Sequence, residues 1–324
     1  MNQLRLDPLT GRWVTVATHR AALPDAFAPD GGHVEIAAGE SCPFCPGHEG
    51  ELPPPTMEAD GPDGDWRLRV VPNRFPAFRG EAAMEVERLG PLFARADATG
   101  VHEVLVLSPN HEHSWADLDD DGAASAMTAA RDRLAAHAAL PGVRYSQAVV
   151  NHGRAAGASL RHPHGQLLGI AFVPGELLDE IAGFRRFVGG CLLCATVEAE
   201  RSAGHRMVVD QASAVVIAPW WSASPFELLV IPADHHGHLT DQPDDDLAAI
   251  GRIIRDVLRR LRAELGDVSY NLVLHTLPHR APDPFHWHIH VVPRLRSVDG
   301  FEQGTGVPVN IVAPEEAAAV LAAD

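Results

Sequence analysis

His162-Pro163-His164-Gly165-Gln166 returns 124 residues later (286 − 162) as His286-Trp287-His288-Ile289-His290. The first stretch lies 51 residues after His111, and the second lies 51 after His235 (162 − 111 and 286 − 235). All four cysteines fall into the same scheme, as Cys42-Pro-Phe-Cys45 ahead of His111 and Cys191-Leu-Leu-Cys194 ahead of His235. Matched order and matched spacing mark an internal duplication. Each copy carries its own chemistry-bearing residues, and the differences between the copies bear on function.

A chain of 324 residues suits two domains of ordinary size, expected at 1–172 and 173–324. With 46% hydrophobic and 21% charged residues, both can bury full cores. Met1-Asn-Gln-Leu-Arg-Leu-Asp is no signal peptide, and no apolar run reaches membrane-spanning length. A soluble, cytoplasmic protein with no membrane partner is expected. The formal charge of −17 argues against a nucleic acid polymer as partner, because displacing its counterions needs a basic face. A nucleotide remains open, since a few local donors suffice for one phosphate.

Pro8 and Gly11 punctuate a turn before a strand at Trp13–Val16, and residues 46–65 read as a loop rich in Pro, Gly and acid. Alternation predicts strands at 66–71 and 101–107. Asp117–Asp121 opens an Ala-rich helix to about Leu140, with acid in its first turn complementing the helix dipole. The second half repeats this plan, with a strand at 227–231, a helix from Asp244 to Leu265 and a strand at 269–274 matching 146–150. Each half is expected to be an α+β unit, an antiparallel sheet with one long helix.

Two cysteines three apart on a tight turn can face one ion, and two histidines can complete a tetrahedral shell. By this logic Cys42, Cys45, His111 and His162 hold one zinc, and Cys191, Cys194, His235 and His286 hold a second. A redox dithiol is the alternative, but neither pair opens a thioredoxin-like βαβ pattern. Such closed sites are structural.

Residues two apart on a strand share a face, so an extended segment projects His162 and His164 together. If His162 holds a metal, His164 stands on a rigid base with its ring uncommitted. Gly157 and Ser159 precede it in a small-residue segment that lets a phosphate approach the backbone. Gln166 shares the face and donates without charge. The set suits a neutral imidazole attacking the α-phosphorus of a nucleotide sugar, which a second phosphate then relieves.

The stretch Asn151-His-Gly-Arg-Ala-Ala-Gly-Ala-Ser-Leu-Arg-His-Pro-His-Gly-Gln166 resembles the active-site signature of galactose-1-phosphate uridylyltransferases, the transferase branch of the histidine-triad superfamily. Supporting matches are Asp7-Pro-Leu-Thr-Gly-Arg-Trp-Val14, Ser41-Cys-Pro-Phe-Cys45, Val70-Val-Pro-Asn-Arg-Phe-Pro76, Ser108-Pro-Asn-His111 and Gly300-Phe-Glu302. The resemblance implies two tandem histidine-triad-like domains and transfer of UMP between UDP-glucose and a hexose 1-phosphate. His164 is implied as nucleophile, and Gln166 and Ser159 as phosphoryl contacts. Asn151 and Gly157 match the phosphate site, and Asn73 and Phe75 the nucleoside pocket. Arg20 matches an arginine that reaches the neighbouring subunit's site, which implies a homodimer, and Glu302 matches a residue near the hexose.

In the second copy His288 aligns with His164, His290 with Gln166 and His275 with Asn151, but Thr276–Pro284 contains no glycine. Some members of the family bind iron through a glutamate and three histidines, which Glu180, His275, His288 and His290 match. Leu23 stands where a second arginine is usual, and Arg74 where an acid is usual. The ending Gly300-Phe-Glu-Gln-Gly-Thr-Gly306 is similar to the branch that includes plant ADP-glucose phosphorylase-like proteins. Adenylyl transfer to inorganic phosphate is therefore a second expectation. A zinc-stabilised nucleotide-binding module without activity is a third.

Overall fold

The computed structural model describes residues 2–22, 42–62 and 64–322. Leu23, noted above as a departure, and Ser41 of the cysteine motif lie outside these.

The chain starts with a hairpin of Gln3–Leu6 (β1) and Trp13–Val16 (β2). Met57–Asp60 (β3) and Trp66–Pro72 (β4) follow, then an exposed hairpin of Glu87–Leu89 (β5) and Phe93–Arg95 (β6). Gly100–Val106 (β7) leads to the helix Asp120–Ala138 (α1), then to Tyr145–His152 (β8) and His164–Ile170 (β9). Asp119 caps α1 by accepting from the Gly122 amide, which accounts for the helix starting within the acidic cluster.

Two helices, Gly175–Arg186 (α2) and Leu192–Ala203 (α3), open the second half. Met207–Asp210 (β10), Ala214–Ile217 (β11) and Leu228–Pro232 (β12) precede the helix Asp244–Leu265 (α4), which carries three aspartates in its first turn. Tyr270–His275 (β13), His288–Pro293 (β14), Gly300–Thr305 (α5), Val309–Asn310 (β15) and Pro314–Ala322 (α6) complete it. No helix among the described residues is long and apolar enough to cross a membrane.

Ten strands form one sheet in the order β3-β4-β7-β9-β8-β13-β14-β12-β11-β10, and each half supplies five. The order reads as a mirror about the β8–β13 pair. That pair is antiparallel, with Val149 opposite Val273 at the seam. The boundary expected at 172/173 falls between β9 and α2, and the elements on either side of it share one sheet. The first residues cross this division, because β2 pairs in parallel with β15.

One face of the sheet is closed by α1 and α4. Leu105, Ala148, Val150 and Leu167 of the first half join Leu272, Leu274, Ile289 and Val291 of the second in a single core. The helices pack closely because Gly251 has no side chain; a Cβ there would lie 2.3 Å from the Ala123 carbonyl oxygen.

The other face is covered unequally. Over the second half, Leu177, Ile181 and Phe184 of α2 and Leu193 of α3 pack with Ile217, Leu229 and Ile231. Over the first half, among the described residues, Cys42, Phe44, Cys45, Leu52 and Leu160 pack with Val71, Val104 and Val106. A cleft lies beside His164 and Gln166 of β9 on this face.

The segment 46–65 is not wholly a loop. Met57–Asp60 adds an edge strand to β4, with Met57 opposite Val70. Its residues Met-Glu-Ala-Asp have weak strand preference, and pairing with a finished edge overrides it.

Candidate active site and metal centres

His162 stands just before β9, and His164 is its first residue. The sulfur and Nδ1 ligand atoms of Cys42, Cys45, His111 and His162 come together, all within 4.8 Å of one another. Cys45 Sγ is 3.4 Å from His111 Nδ1 and 3.6 Å from His162 Nδ1. A tetrahedron with zinc–sulfur and zinc–nitrogen bond lengths has edges of roughly 3.6 Å. The tautomer fits as well: His162 Nε2–H donates to the Ser108 carbonyl at 2.8 Å, which leaves the Nδ1 lone pair facing the sulfur. Burial and then the neighbouring Cys42 push the Cys45 thiol up to about 11, so a bound cation would displace its proton.

Cys191, Cys194, His235 and His286 are gathered in the same way. His286 Nδ1 is 3.5 Å from Cys191 Sγ and 3.6 Å from Cys194 Sγ. Both histidines again donate from Nε2 to backbone carbonyls, His235 to Phe285 and His286 to Pro232. Both Cys2His2 groups therefore fit a structural zinc.

His164 is 7% exposed. Its Nδ1–H donates to the His162 carbonyl at 2.8 Å, so its Nε2 carries the lone pair. Burial holds the ring below its ordinary basicity, against the pull of that carbonyl, and keeps it neutral near pH 7. Phe44 leans on the ring at a centroid distance of 5.5 Å. The cleft around His164 has a volume of ≈ 200 Å³, and Ser159, Gln166, Asn73 and Phe75 line it with His164. Past Asn73 and Arg74 it opens into a wider groove of ≈ 770 Å³.

One residue here was not foreseen. His102 Nδ1 accepts from the Ala77 amide at 3.0 Å, which places the proton of the neutral ring on Nε2. Nε2–H then donates to Gln166 Oε1 at 2.9 Å. Gln166 is left with its NH2 turned to the cleft, as a donor. The signal in the sequence was slight, one histidine alternating with Val104 along β7.

Asn151 follows Val150, which pairs with Gly165, so the antiparallel register brings Asn151 alongside His164. Gly157 ends the turn Arg154–Ala156 with a left-handed φ of +86°, a conformation that suits glycine. Arg20 and Glu302 are not among the residues lining the His164 cleft. Arg20 lies in the short turn Thr18–Ala22, with its charge acting on Asp299. Glu302 spends its carboxylate locally, accepting from the Val309 amide at 2.8 Å and the Asp299 amide at 2.9 Å.

The second copy repeats the histidine geometry and then departs from it. His288 Nδ1–H donates to the His286 carbonyl at 2.9 Å, as His164 does to His162. Its Nε2 is enclosed among the described residues: His288 is 0% exposed, and Glu180 of α2 faces it at 3.7 Å. Glu180, His275, His288 and His290 bring four ligand atoms within 4.8 Å of one another. Glu180 Oε2, His288 Nε2 and His290 Nε2 are buried with no hydrogen-bond partner. Unpaired buried polar atoms of this kind are costly, and three imidazoles with one carboxylate suit iron or zinc. The residues therefore fit a third metal ion. The ring that matches the nucleophile is turned into a candidate ligand, which speaks against a second reactive histidine.

Fold and site together define an α+β protein built as a tandem repeat around one antiparallel sheet, with Cys/His groups that could hold metal ions. The family model described as Galactose-1-phosphate uridyl transferase, N-terminal domain, matches residues 1–174, and its C-terminal counterpart matches residues 178–302. The chain belongs to this family. It is 31% identical to an ADP-glucose phosphorylase of Arabidopsis thaliana, covering 98% of this chain and 92% of the relative. It is 27% identical to a galactose-1-phosphate uridylyltransferase of Haemophilus influenzae, covering 90% and 84%. Among solved structures, an Arabidopsis thaliana ADP-glucose phosphorylase with bound ADP-glucose superposes with a TM-score of 0.85 at 29% identity, covering 100% and 99% of the two chains.

Proposed function

We propose that the protein is a nucleotidyltransferase that moves UMP between UDP-glucose and a hexose 1-phosphate through a nucleotidyl-His164 intermediate. The observation that carries this is the His164 ring: its Nδ1 is tied to a carbonyl, and it shares a cleft with Ser159 and Gln166. His164 Nε2 attacks the α-phosphorus, the bond from that phosphorus to the bridging oxygen breaks, and the sugar 1-phosphate leaves with the electron pair. The ring becomes positive, and the His162 carbonyl accepting from Nδ1–H stabilises that charge. A phosphate oxygen of the second substrate then attacks phosphorus, and Nε2 departs as neutral imidazole. Gln166, Ser159, Asn151 and Gly157 are the phosphoryl contacts in this reading, and Asn73 and Phe75 hold the nucleoside.

A second reading, ADP-glucose as donor and inorganic phosphate as acceptor, is favoured by the Arabidopsis relative at 31% identity. The two readings differ in base and acceptor, and share the histidine chemistry. Incubation with UDP-glucose or ADP-glucose, followed by intact mass measurement, separates them by the nucleoside monophosphate retained. A non-catalytic binding module would retain none. No adduct from either donor would overturn both catalytic readings.

Two zinc ions at the Cys2His2 groups, and iron or zinc at Glu180 with the three histidines, complete the proposal. Arg20 lies outside its own cleft, which supports a homodimer in which it serves the partner's site. Sedimentation of a monomer would remove that part.

A further inference from the structure

We infer that Asn271, in the half that carries no reactive histidine, is a positioning residue that aims Asn151 at the transferring phosphoryl group beside His164. The inference rests on the functional reading above. Asn271 sits on β13 directly opposite Asn151 on β8, at the seam between the halves. Its side chain is buried and fully engaged. Nδ2 donates to Asn151 Oδ1 at 2.7 Å and to the Ala156 carbonyl at 2.9 Å, while Oδ1 accepts from Arg294 Nε at 2.5 Å.

This fork settles two things at once. A guanidinium can only donate, so Arg294 forces the Asn271 oxygen to its own side and the Asn271 NH2 toward Asn151. Asn151 Oδ1 is then occupied, and its own NH2 faces away from the seam, toward His164 on the next strand. The second donation, to Ala156, pins the turn that leads to Gly157 and Ser159. An amide without such a clamp presents its oxygen or its nitrogen to the cleft with equal ease, and an oxygen there would repel a phosphoryl group.

The other copy lacks the device. Gln147 holds the place equivalent to Asn271 (271 − 124), and His275 the place equivalent to Asn151 (275 − 124). Gln147 Nε2 donates to the Leu274 and Ala148 carbonyls, and it is Glu180 that holds His275. The amide clamp exists only on the side with the open cleft.

Asn271→Asp tests this. It keeps the size and the Arg294 partner but replaces the NH2 by an oxygen, so Asn151 must turn its own NH2 back to the seam. The readouts are the single-turnover rate of nucleotidyl-His164 formation, KM, zinc content and melting temperature. The rate is expected to fall roughly 10²-fold, as for loss of one preorganised donor at a reacting oxyanion, with zinc retained. In an Asn151→Ala background the same change is expected to cost several-fold less than in the wild type, because the share of its effect that travels through Asn151 is already gone and only the loosened Ala156 turn remains. Should Asn271→Asp fail to fold, Arg294→Met releases the same amide and is expected to slow adduct formation in the same way. A wild-type rate in the folded variant, or an undiminished loss in the Asn151→Ala background, overturns the inference alone. A wild-type protein that forms no adduct from any sugar nucleotide overturns the functional reading, and the inference with it.

Discussion

Val149 lies opposite Val273 in the middle strands of the sheet, and the two residues hold the same place in the repeat, 124 residues apart (273 − 149). An antiparallel pair of equivalent residues is the mark of a local twofold axis. About this axis the His164 cleft and the Glu180 cluster are counterparts, on one face of the sheet. Three strand spacings across the sheet and four residues along it lie between His164 and His288, which at the usual dimensions separates them by roughly 20 Å. One position kept an open cavity, and the other was capped by α2.

His102→Leu removes the donor that fixes the Gln166 amide. Gln166 can then present its oxygen to the cleft. A roughly tenfold fall in the rate of adduct formation is expected, with little change in melting temperature. Single-turnover kinetics followed by intact mass would measure it, and an unchanged rate would show that Gln166 needs no such support.

Cys42→Ser breaks the first Cys2His2 group and slackens the base on which His164 stands. Loss of one zinc per chain by elemental analysis is expected, with several kcal/mol of stability lost in denaturant titration. Adduct formation should fall with it. Cys191→Ser should lose the second zinc and stability, but spare the His164 reaction more.

Glu180→Gln leaves the two thiolate groups intact and weakens only the carboxylate cluster. Metal analysis should drop by one ion of iron or zinc per chain while the other two remain. A wild-type count of no more than two ions per chain, both lost with the cysteines, would mean that no metal sits among Glu180, His275, His288 and His290.

Glu103 is 2% exposed and bound by Arg133, His137 and Thr56. Burial alone would raise its carboxyl; the hydrogen bonds from His137, Arg133 and Thr56 prevail and hold it at about 2, against an ordinary 4.5. A carboxylate held below its unfolded value contributes stability that is fully present above about pH 4.5 and lost as pH falls toward 2. Acid denaturation followed by circular dichroism should therefore show a steep loss in that window. In Glu103→Gln the slope should flatten, and stability at pH 7 should drop by roughly 3 kcal/mol, because Arg133 loses its buried partner. An unaltered acid transition would mean that other carboxylates control it.

Much of this architecture could be read from residue spacing. The duplication, the long helix of each half and the four cysteines with their histidines follow from intervals along the chain. His164 and Gln166 follow from the two-residue period of a strand. Interactions between strands distant in sequence were hidden. Nothing near Gln166 announces His102, because the two meet across the β7–β9 pair. Asn271 likewise meets Asn151 only across the seam. Glu180 was named through a family resemblance, but its place over His288 depends on how α2 packs on the sheet. Arg20 and Glu302 show the reverse: motif matches named them, and the geometry sets them apart from the cleft of their own chain.

The mirror-like sheet also governs what happens if the protein is cut. Separating the halves would strip β8 and β13 of each other and lay bare two raw edges of main-chain donors and acceptors. A lone repeat would seek another of its kind along that edge. The fused chain keeps that partner permanently within reach, and so leaves each half at liberty to lose what the other retains.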